Sequence, residues 1–374
     1  MRIVIKEAKD NSDIKQFIQF QHELYRSDKA YVPELYISQK EMFNTQKYPF
    51  YKYGQAKHFM AFDENKMIGR ISAISNPRYN QFHNSNVGFF GFFDFIDSFE
   101  VAQTLLDAAN DWLRKFDYDR IIGPTNFTTN ESAGYLVEGF KSSPFIMMTY
   151  NFPYYLPIIQ KLGFVKEMDL YAYMIYTDKV SEKSIRIASM VEERLATQDI
   201  TVRKIRMKEF DKDAAKIKSV YNSAWENNWG FVPFTDKEFH HLAGGLKMML
   251  DEDFGYIAEH AGKPVAFSIS LPNINEITKS FKNGKLLPFN LLSLLFRKKK
   301  TKFVRIVAMG VQEEFRKKGI EAIFFAKNIL EAKKRGILGG EASWVLENNA
   351  MMKKAAENLN GELYKTYRLY SYNL

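Results

Sequence analysis

Residues 61–76 realign without a gap on residues 258–273 at a constant offset of 197, pairing Lys66 with Lys263, Ile68 with Val265 and Asn76 with Asn273. Asn151 meets Asn348 at the same offset. A hairpin that returns with the same downstream order of elements constrains the chain to two copies of one plan. The length agrees, because 374 residues exceed one ordinary hydrophobic core. Division at 1–179 and 180–374 gives each copy a complete set of elements.

In the first half, 2–7 alternates as a strand and 13–25 carries Phe17, Ile18 and Leu24 on one helical side. Residues 58–62 and 67–75 form the repeated hairpin around Asp63-Glu64-Asn65-Lys66, and 87–96 (VGFFGFFDFI) is apolar on both faces, as a central strand is. A helix over 101–116, a short strand at 120–123 and a long Asn- and Gly-rich loop at 124–143 follow. Asn151 opens a helix over 154–161, and 167–176 is a strand. The second half runs helix 181–198, strand 200–207, helices 209–228 and 236–250, hairpin 254–271, strand 303–311, helix, strand 341–346, helix 349–359 and strand 365–371.

Cysteine is absent, which excludes disulfides and thiolate metal sites, and no metal is expected. Lys6 and Glu7 interrupt the apolar run that a signal peptide needs, and no stretch reaches the roughly 20 apolar residues of a membrane span, so a cytoplasmic location is expected. Of the net charge of +9, eight Lys or Arg fall within 277–302, which holds no Asp or Glu. The charge is therefore one local patch. Its apolar neighbours are mostly Leu, which argues against nucleic acid and its stacking contacts.

The stretch 303–330 joins an apolar strand to an apolar helix through Arg316, Lys317, Lys318 and Gly319. Such a turn aims backbone N–H groups and a helix dipole at one place and surrounds it with cations, which suits an anionic ligand. A solvated strand-turn-helix is the plain alternative.

Arg316-Lys317-Lys318-Gly319-Ile320-Glu321-Ala322 resembles the pyrophosphate-binding signature of the GNAT superfamily of acyl-CoA N-acyltransferases: Arg or Gln, two residues, Gly, one residue, then Gly or Ala. The departure is Glu321, where the family has a small residue, and the carboxylate is expected to point away from the ligand. The first half has two acids and no glycine at 95–100 and is expected not to bind coenzyme A. The motifs GFFGFFDFID, GPTNFTTNESAGYLVEGF, MTYNFPYY and LPNINE resemble the bacterial ceramide synthase-like branch, in which an acyl-CoA is joined to a long-chain sphingoid amine. The resemblance implies an α+β (mixed α/β) class with tandem GNAT-like domains, each a mixed, mostly antiparallel sheet flanked by helices.

It also implies coenzyme A or acyl-CoA as co-substrate, held by Arg316 to Ala322, with Met309, Gly310 and Val311 polarising the thioester carbonyl and Asn348 or Asn349 at the pantetheine arm. Asn349 is equally suited to capping its helix. The amine must lose a proton before attack. Glu341, Glu347 and Glu131 are the candidate bases. The family's thiolate-protonating Tyr corresponds to Ala356, leaving Tyr364 as the candidate substitute. Asn126, Asn130, Glu131, Tyr150, Asn151, Tyr154 and Tyr155 are expected to shape the acceptor site. A lipid amine is the favoured acceptor, and the segment 277–302 suits an anionic membrane surface on the inner face or the mouth of a lipid tunnel. A small amine, amino acid or peptide is the alternative within the class, and a non-catalytic binding protein the alternative outside it.

Overall fold

A computed structural model describes residues 2–374. The chain divides into two compact units: Met1–Asp169 with Ile277–Leu295 and Lys365–Leu374, and Leu170–Glu276 with Phe296–Tyr364. Relative to a division at 179 and 180, each unit has taken a strand-bearing segment from the other half of the sequence. The final residues are spent on the first unit, where 370–373 pair with 120–123, and residues 170–176 on the second, where they pair with 339–346.

In the first unit the strands run in the order Ile3–Glu7, Gln55–Asp63, Lys66–Ser75, Val87–Phe95, Arg120–Gly123 and the end of Glu362–Asn373. All neighbours are antiparallel except Val87–Phe95 and Arg120–Gly123, which are parallel. The helix Phe99–Leu113 starts where Ser98 accepts the Val101 N–H at 3.4 Å, and its Val101, Leu105, Ala109 and Trp112 stripe lies on the sheet. Phe90, Phe93 and Phe95 fill the space beneath it.

The second unit repeats this plan with Leu170–Tyr176 segments of the strand Val165–Tyr176, then Gly339–Leu346, Phe303–Val311, Lys263–Pro272, Gly255–His260 and Ile200–Lys204. Again one pair is parallel, Phe303–Val311 with Gly339–Leu346. Its hairpin turns at Ala261 (φ 48°) and Gly262 (φ 75°), the two positive-φ positions that a tight two-residue turn requires. Ile320, Ile323 and Phe324 of the helix Ile320–Lys334 pack on Tyr256, Val265 and Val311.

Several elements lacked a readable pattern. Tyr36–Met42 and Pro77–His83 are seven-residue helices, too short for a periodic stripe. The loop at 124–143 holds short strands at Thr125–Asn126, Ser132–Ala133 and Tyr135–Glu138. Asn151 does not open a helix: the helix Tyr155–Lys161 has no side-chain cap, and Asn151 instead accepts the Leu136 N–H (2.6 Å) and donates to the Leu136 carbonyl (3.1 Å). It thus fastens a strand.

The first unit buries a polar cluster. Arg70 is 1% exposed and donates to Asp94 at 2.6 and 2.8 Å and to the Phe17 carbonyl at 2.8 Å, while Tyr25 donates to the other Asp94 oxygen at 2.9 Å. His22 sits nearby with Nε2 3.1 Å from the Gln39 side-chain oxygen and Nδ1 3.1 Å from the Tyr31 hydroxyl. Burial, helped by the Arg70 charge, lowers its pKa from 6.5 to about 4. An unfolded imidazole protonates near pH 6.5 and this one only near 4, so the neutral ring contributes fully above about 6.5 and its contribution is lost as the pH falls towards 4. The loss reaches on the order of 3 kcal/mol only once the pH has fallen to the folded value, where the buried ring protonates as well. Urea midpoints measured from pH 7 to pH 4 should fall, and His22→Gln should flatten that slope; an unchanged slope would remove His22 as its source.

Candidate active site

In the second unit the parallel ladder pairs 303–306 with 339–342 and ends at Ile306 and Ala342. Both strands continue, to Val311 and Leu346, so beyond that point they part. A register shift opposite Ile269 and Ser270 bends the Phe303–Val311 strand just where the parting begins. Gly310 is needed on the far side of this bend. A Cβ there would stand 2.9 Å from the Phe267 ring and 3.2 Å from Ala224, and Trp225 donates its indole N–H to the Met309 carbonyl at 3.2 Å.

The strand then leads into the basic turn. Lys317 (φ 63°) and Gly319 (φ 94°) both have left-handed backbone, and Gly319 is the N-cap of the helix Ile320–Lys334. The turn thus brings the first helical N–H groups together at its centre, backbone geometry of the kind an anion needs. A Cβ on Gly319 would meet Val191 at 2.9 Å. Its side chains behave differently from the expectation. Arg316 donates to the Ala224 carbonyl at 2.8 Å and the Val311 carbonyl at 3.3 Å, bracing the turn against the end of the helix Phe210–Ala224. Lys318 lies over the Phe315 ring, 4.9 Å from its centroid. Glu321 takes its own backbone N–H, and burial pushes its carboxyl above the ordinary value against that bond and the Arg316 charge. The carboxylate is thus turned back onto the helix start, Ile320 is buried in the core, and Ala322 is exposed.

Alternation along the two strands sends Val304, Ile306 and Ala342 into apolar clusters under the helices and Arg305, Glu341 and Ser343 to the opposite face. There they form a hydrogen-bonded network. Glu341 is fully buried and lies 3.5 Å from the Arg305 Nε; Ser343 donates to it at 2.5 Å, Arg305 donates to the Ser343 hydroxyl at 2.8 Å, and Tyr364 donates to the second Glu341 oxygen. Two expected residues, Glu341 and Tyr364, are in direct contact. Arg305 and Ser343 were missed, although an arginine inside FVRIVAMGV signals a buried cation that needs an anion.

Glu347 follows the strand, half-buried, its carbonyl taking the Lys353 ammonium at 2.6 Å. Asn349 caps the helix Ala350–Glu357, accepting the Met352 N–H at 3.1 Å, and Asn348 is exposed beside it. Ala356 is core.

The first unit has the same parting of strands and closes it. The ladder of 87–89 with 120–122 ends, and the chain folds back so that Thr125 fills the opening: a Cβ on Gly91 would stand 1.7 Å from the Thr125 carbonyl oxygen. Asn126 accepts the Phe92 N–H at 2.9 Å, taking a donor that would otherwise face the opening. Glu131 accepts the Tyr48 hydroxyl and the Thr128 N–H (3.1 Å), and Asn130 donates its N–H to Thr128. Tyr150 donates to Asp28 (2.6 Å) and Tyr154 to the Phe95 carbonyl (2.5 Å), while Tyr155, buried, joins Asp94 and Tyr25. Asn126, Asn151 and Tyr155 thus spend their polar atoms on the fold.

Among the described residues no group of acidic or imidazole side chains is arranged to hold a metal, and no helix is long and apolar enough to cross a membrane.

No family model matches the chain. It is 33% identical over 376 residues to Protein YghO of Escherichia coli, covering 98% of this chain and 94% of that one, and 32% identical over 371 residues to the bacterial ceramide synthase of Caulobacter vibrioides, covering 97% and 95%. Among solved structures, a tandem GNAT protein from the clavulanic acid biosynthesis pathway matches with a TM-score of 0.59 at 10% identity, over 100% of this chain and 98% of that one. A GCN5-related N-acetyltransferase from Sphaerobacter thermophilus matches with a TM-score of 0.53 at 12% identity, over 99% and 95%. These two likenesses are of fold, and they agree with the two repeated units found above. With parted strands, a glycine turn and the tandem GNAT fold in place, its relatives above 30% identity show that the chain belongs to the family of the bacterial ceramide synthase.

Proposed function

We propose that this protein is an acyl-CoA-dependent N-acyltransferase whose acceptor is a long-chain lipid amine of the sphingoid type. The observation that carries the reading is the second unit's open parting of strands, met by a positive-φ glycine turn, while the first unit's counterpart is filled by its own chain. One acyl-CoA site per chain follows. The lipid acceptor is supported by likeness to the bacterial ceramide synthase.

In the reaction the amine nitrogen attacks the thioester carbonyl, the carbon–sulfur bond breaks, and the proton lost by the amine balances the thiolate that leaves. Backbone N–H groups of Lys317 to Glu321 hold the pyrophosphate, with Glu321 swinging off its own N–H to admit it. Donors on 309–311 face the carbonyl oxygen, and Asn348 reaches the pantetheine arm. The Tyr364 hydroxyl, bound to the Glu341 carboxylate, carries the proton. Arg305 and Ser343 fix Glu341 and so position it. The exposed basic segment 277–302 brings the protein to an anionic membrane surface, where such an acceptor resides.

Gly319→Val tests the coenzyme site. A branched residue at φ 94°, with its Cβ 2.9 Å from Val191, displaces the turn. The strain is about 1–3 kcal/mol, or roughly ten- to hundredfold in affinity if it falls on the liganded turn. Calorimetric titration with a long-chain acyl-CoA should show this loss. Wild-type protein giving no heat, or Gly319→Val titrating like wild type, would sink the reading. Turnover of a sphingoid base against a small amine then decides the acceptor.

A further inference from the structure

A cavity of 510 Å³ is lined wholly by residues of the first unit and by none of the parted strands. One wall is Arg26, Asp28, Lys29 and Pro33, after the helix Asn11–Leu24; the other is Lys279 to Asn283, the start of the basic segment. Four cations, Arg26, Lys29, Lys279 and Lys282, face one carboxylate. That carboxylate, Asp28, is already bonded through both oxygens, to the Tyr150 hydroxyl at 2.6 Å and the Ala30 N–H at 2.7 Å. Tyr31 is buried at the lining and its hydroxyl is bonded to His22, a ring that burial keeps neutral. Four cations against one carboxylate leave the lining an excess of three positive charges, carried on flexible stems around a preformed space.

The wall formed by the basic segment is fastened on both sides of the chain reversal. Lys279 donates to Ser143 at 2.9 Å, Phe281 is buried, and Asn283 (φ 53°) and Gly284 (φ 64°) turn the backbone so closely past Glu34 that a Cβ on Gly284 would stand 1.8 Å from the Glu34 carbonyl oxygen. A few residues on, the chain turns outward its apolar side chains instead. Leu287, Phe289, Leu292 and Leu295 are exposed, Phe289 by 80%, around a helix, Asn290–Arg297, anchored through buried Leu294. A cationic pocket followed at once by an exposed apolar ridge matches the two parts of an anionic amphiphile, a charged headgroup and its acyl boundary.

We infer that the cavity between residues 26–33 and Lys279–Asn283 is a headgroup site for an anionic glycerophospholipid, with the Leu287 to Leu295 ridge seated in the bilayer beside it. This goes beyond acyl transfer and needs no acyl-CoA. It rests on the membrane reading only for the source of its ligand, and a soluble headgroup separates the two.

The test uses the full chain, sedimented with vesicles of phosphatidylcholine alone or mixed equally with phosphatidylglycerol, and titrated with soluble glycerophosphoglycerol and with inorganic phosphate. Two double variants are compared, Lys29→Gln with Lys282→Gln in the pocket and Lys299→Gln with Lys300→Gln outside it; all four side chains are exposed and none fastens the wall, so folding is not at stake. At about 1 kcal/mol per cation, the pocket pair should bind the mixed vesicles roughly thirtyfold more weakly. Glycerophosphoglycerol should titrate wild type and the outer variant but not the pocket variant. Phe289→Ser with Leu292→Ser should lose vesicle binding and keep the headgroup titration. The proposal is overturned if glycerophosphoglycerol titrates no protein, if it titrates the pocket variant like wild type, or if inorganic phosphate binds as tightly as the headgroup, which would mark a free-phosphate site.

Discussion

Tyr364→Phe is expected to lower the acyl-transfer rate by roughly 10²–10⁴-fold, the range for loss of a positioned proton donor, while acyl-CoA titrates as in wild type. The variant keeps the buried Arg305 and Glu341 pair and removes only the hydroxyl that Glu341 accepts. Glu341→Gln should lose as much rate, and it should also melt earlier, because Arg305 is 3% exposed and would face a neutral partner. Comparing the two separates chemistry from scaffolding: a rate loss in both, with lowered stability only in Glu341→Gln, fits the relay. Wild-type turnover by Tyr364→Phe would leave this pair a structural network.

Arg70→Ala should destabilise the first unit by about 3–5 kcal/mol, the cost of leaving a buried carboxylate without its cation. Asp94 would keep the Tyr25 hydroxyl but lose both guanidinium bonds, and the Phe17 carbonyl would lose its donor. The measurement is the denaturation midpoint of the unit. A joint change, Arg70→Met with Asp94→Leu, should recover much of the loss, since paired apolar groups need no partner. If the single and joint variants melt alike, the ion pair is not the source of the cost.

The repeat and the order of its elements were legible because hairpins and amphipathic helices leave periodic patterns. Glycine was legible too: Gly319 was expected in a close turn and has φ 94°. Side-chain partners were not. Arg316 looked free for a phosphate, yet in the fold it meets the carbonyls of Ala224 and Val311, and nothing in local sequence announces a carbonyl 92 residues away. The sequence points to Glu341 as a base and to Tyr364 as an acid separately, and their contact arises from strands that sequence spacing does not bring together. Asn126 and Tyr155 are acceptor-site candidates only through the resemblance. Burial redirected them, since an interior polar group has to be paired wherever it stands.

The exchange of end strands has a consequence for biosynthesis. In the first unit Arg120–Gly123 pairs with residues 370–373, which are made only after the second repeat. While a ribosome works through the second repeat, that edge stays open with its N–H and C=O groups unspent, a template for any passing strand. The usual order, in which an N-terminal domain is finished before its successor emerges, is thereby inverted. Here the earlier repeat has to wait for the later one, and the first unit gains its last strand only once the second repeat has been made.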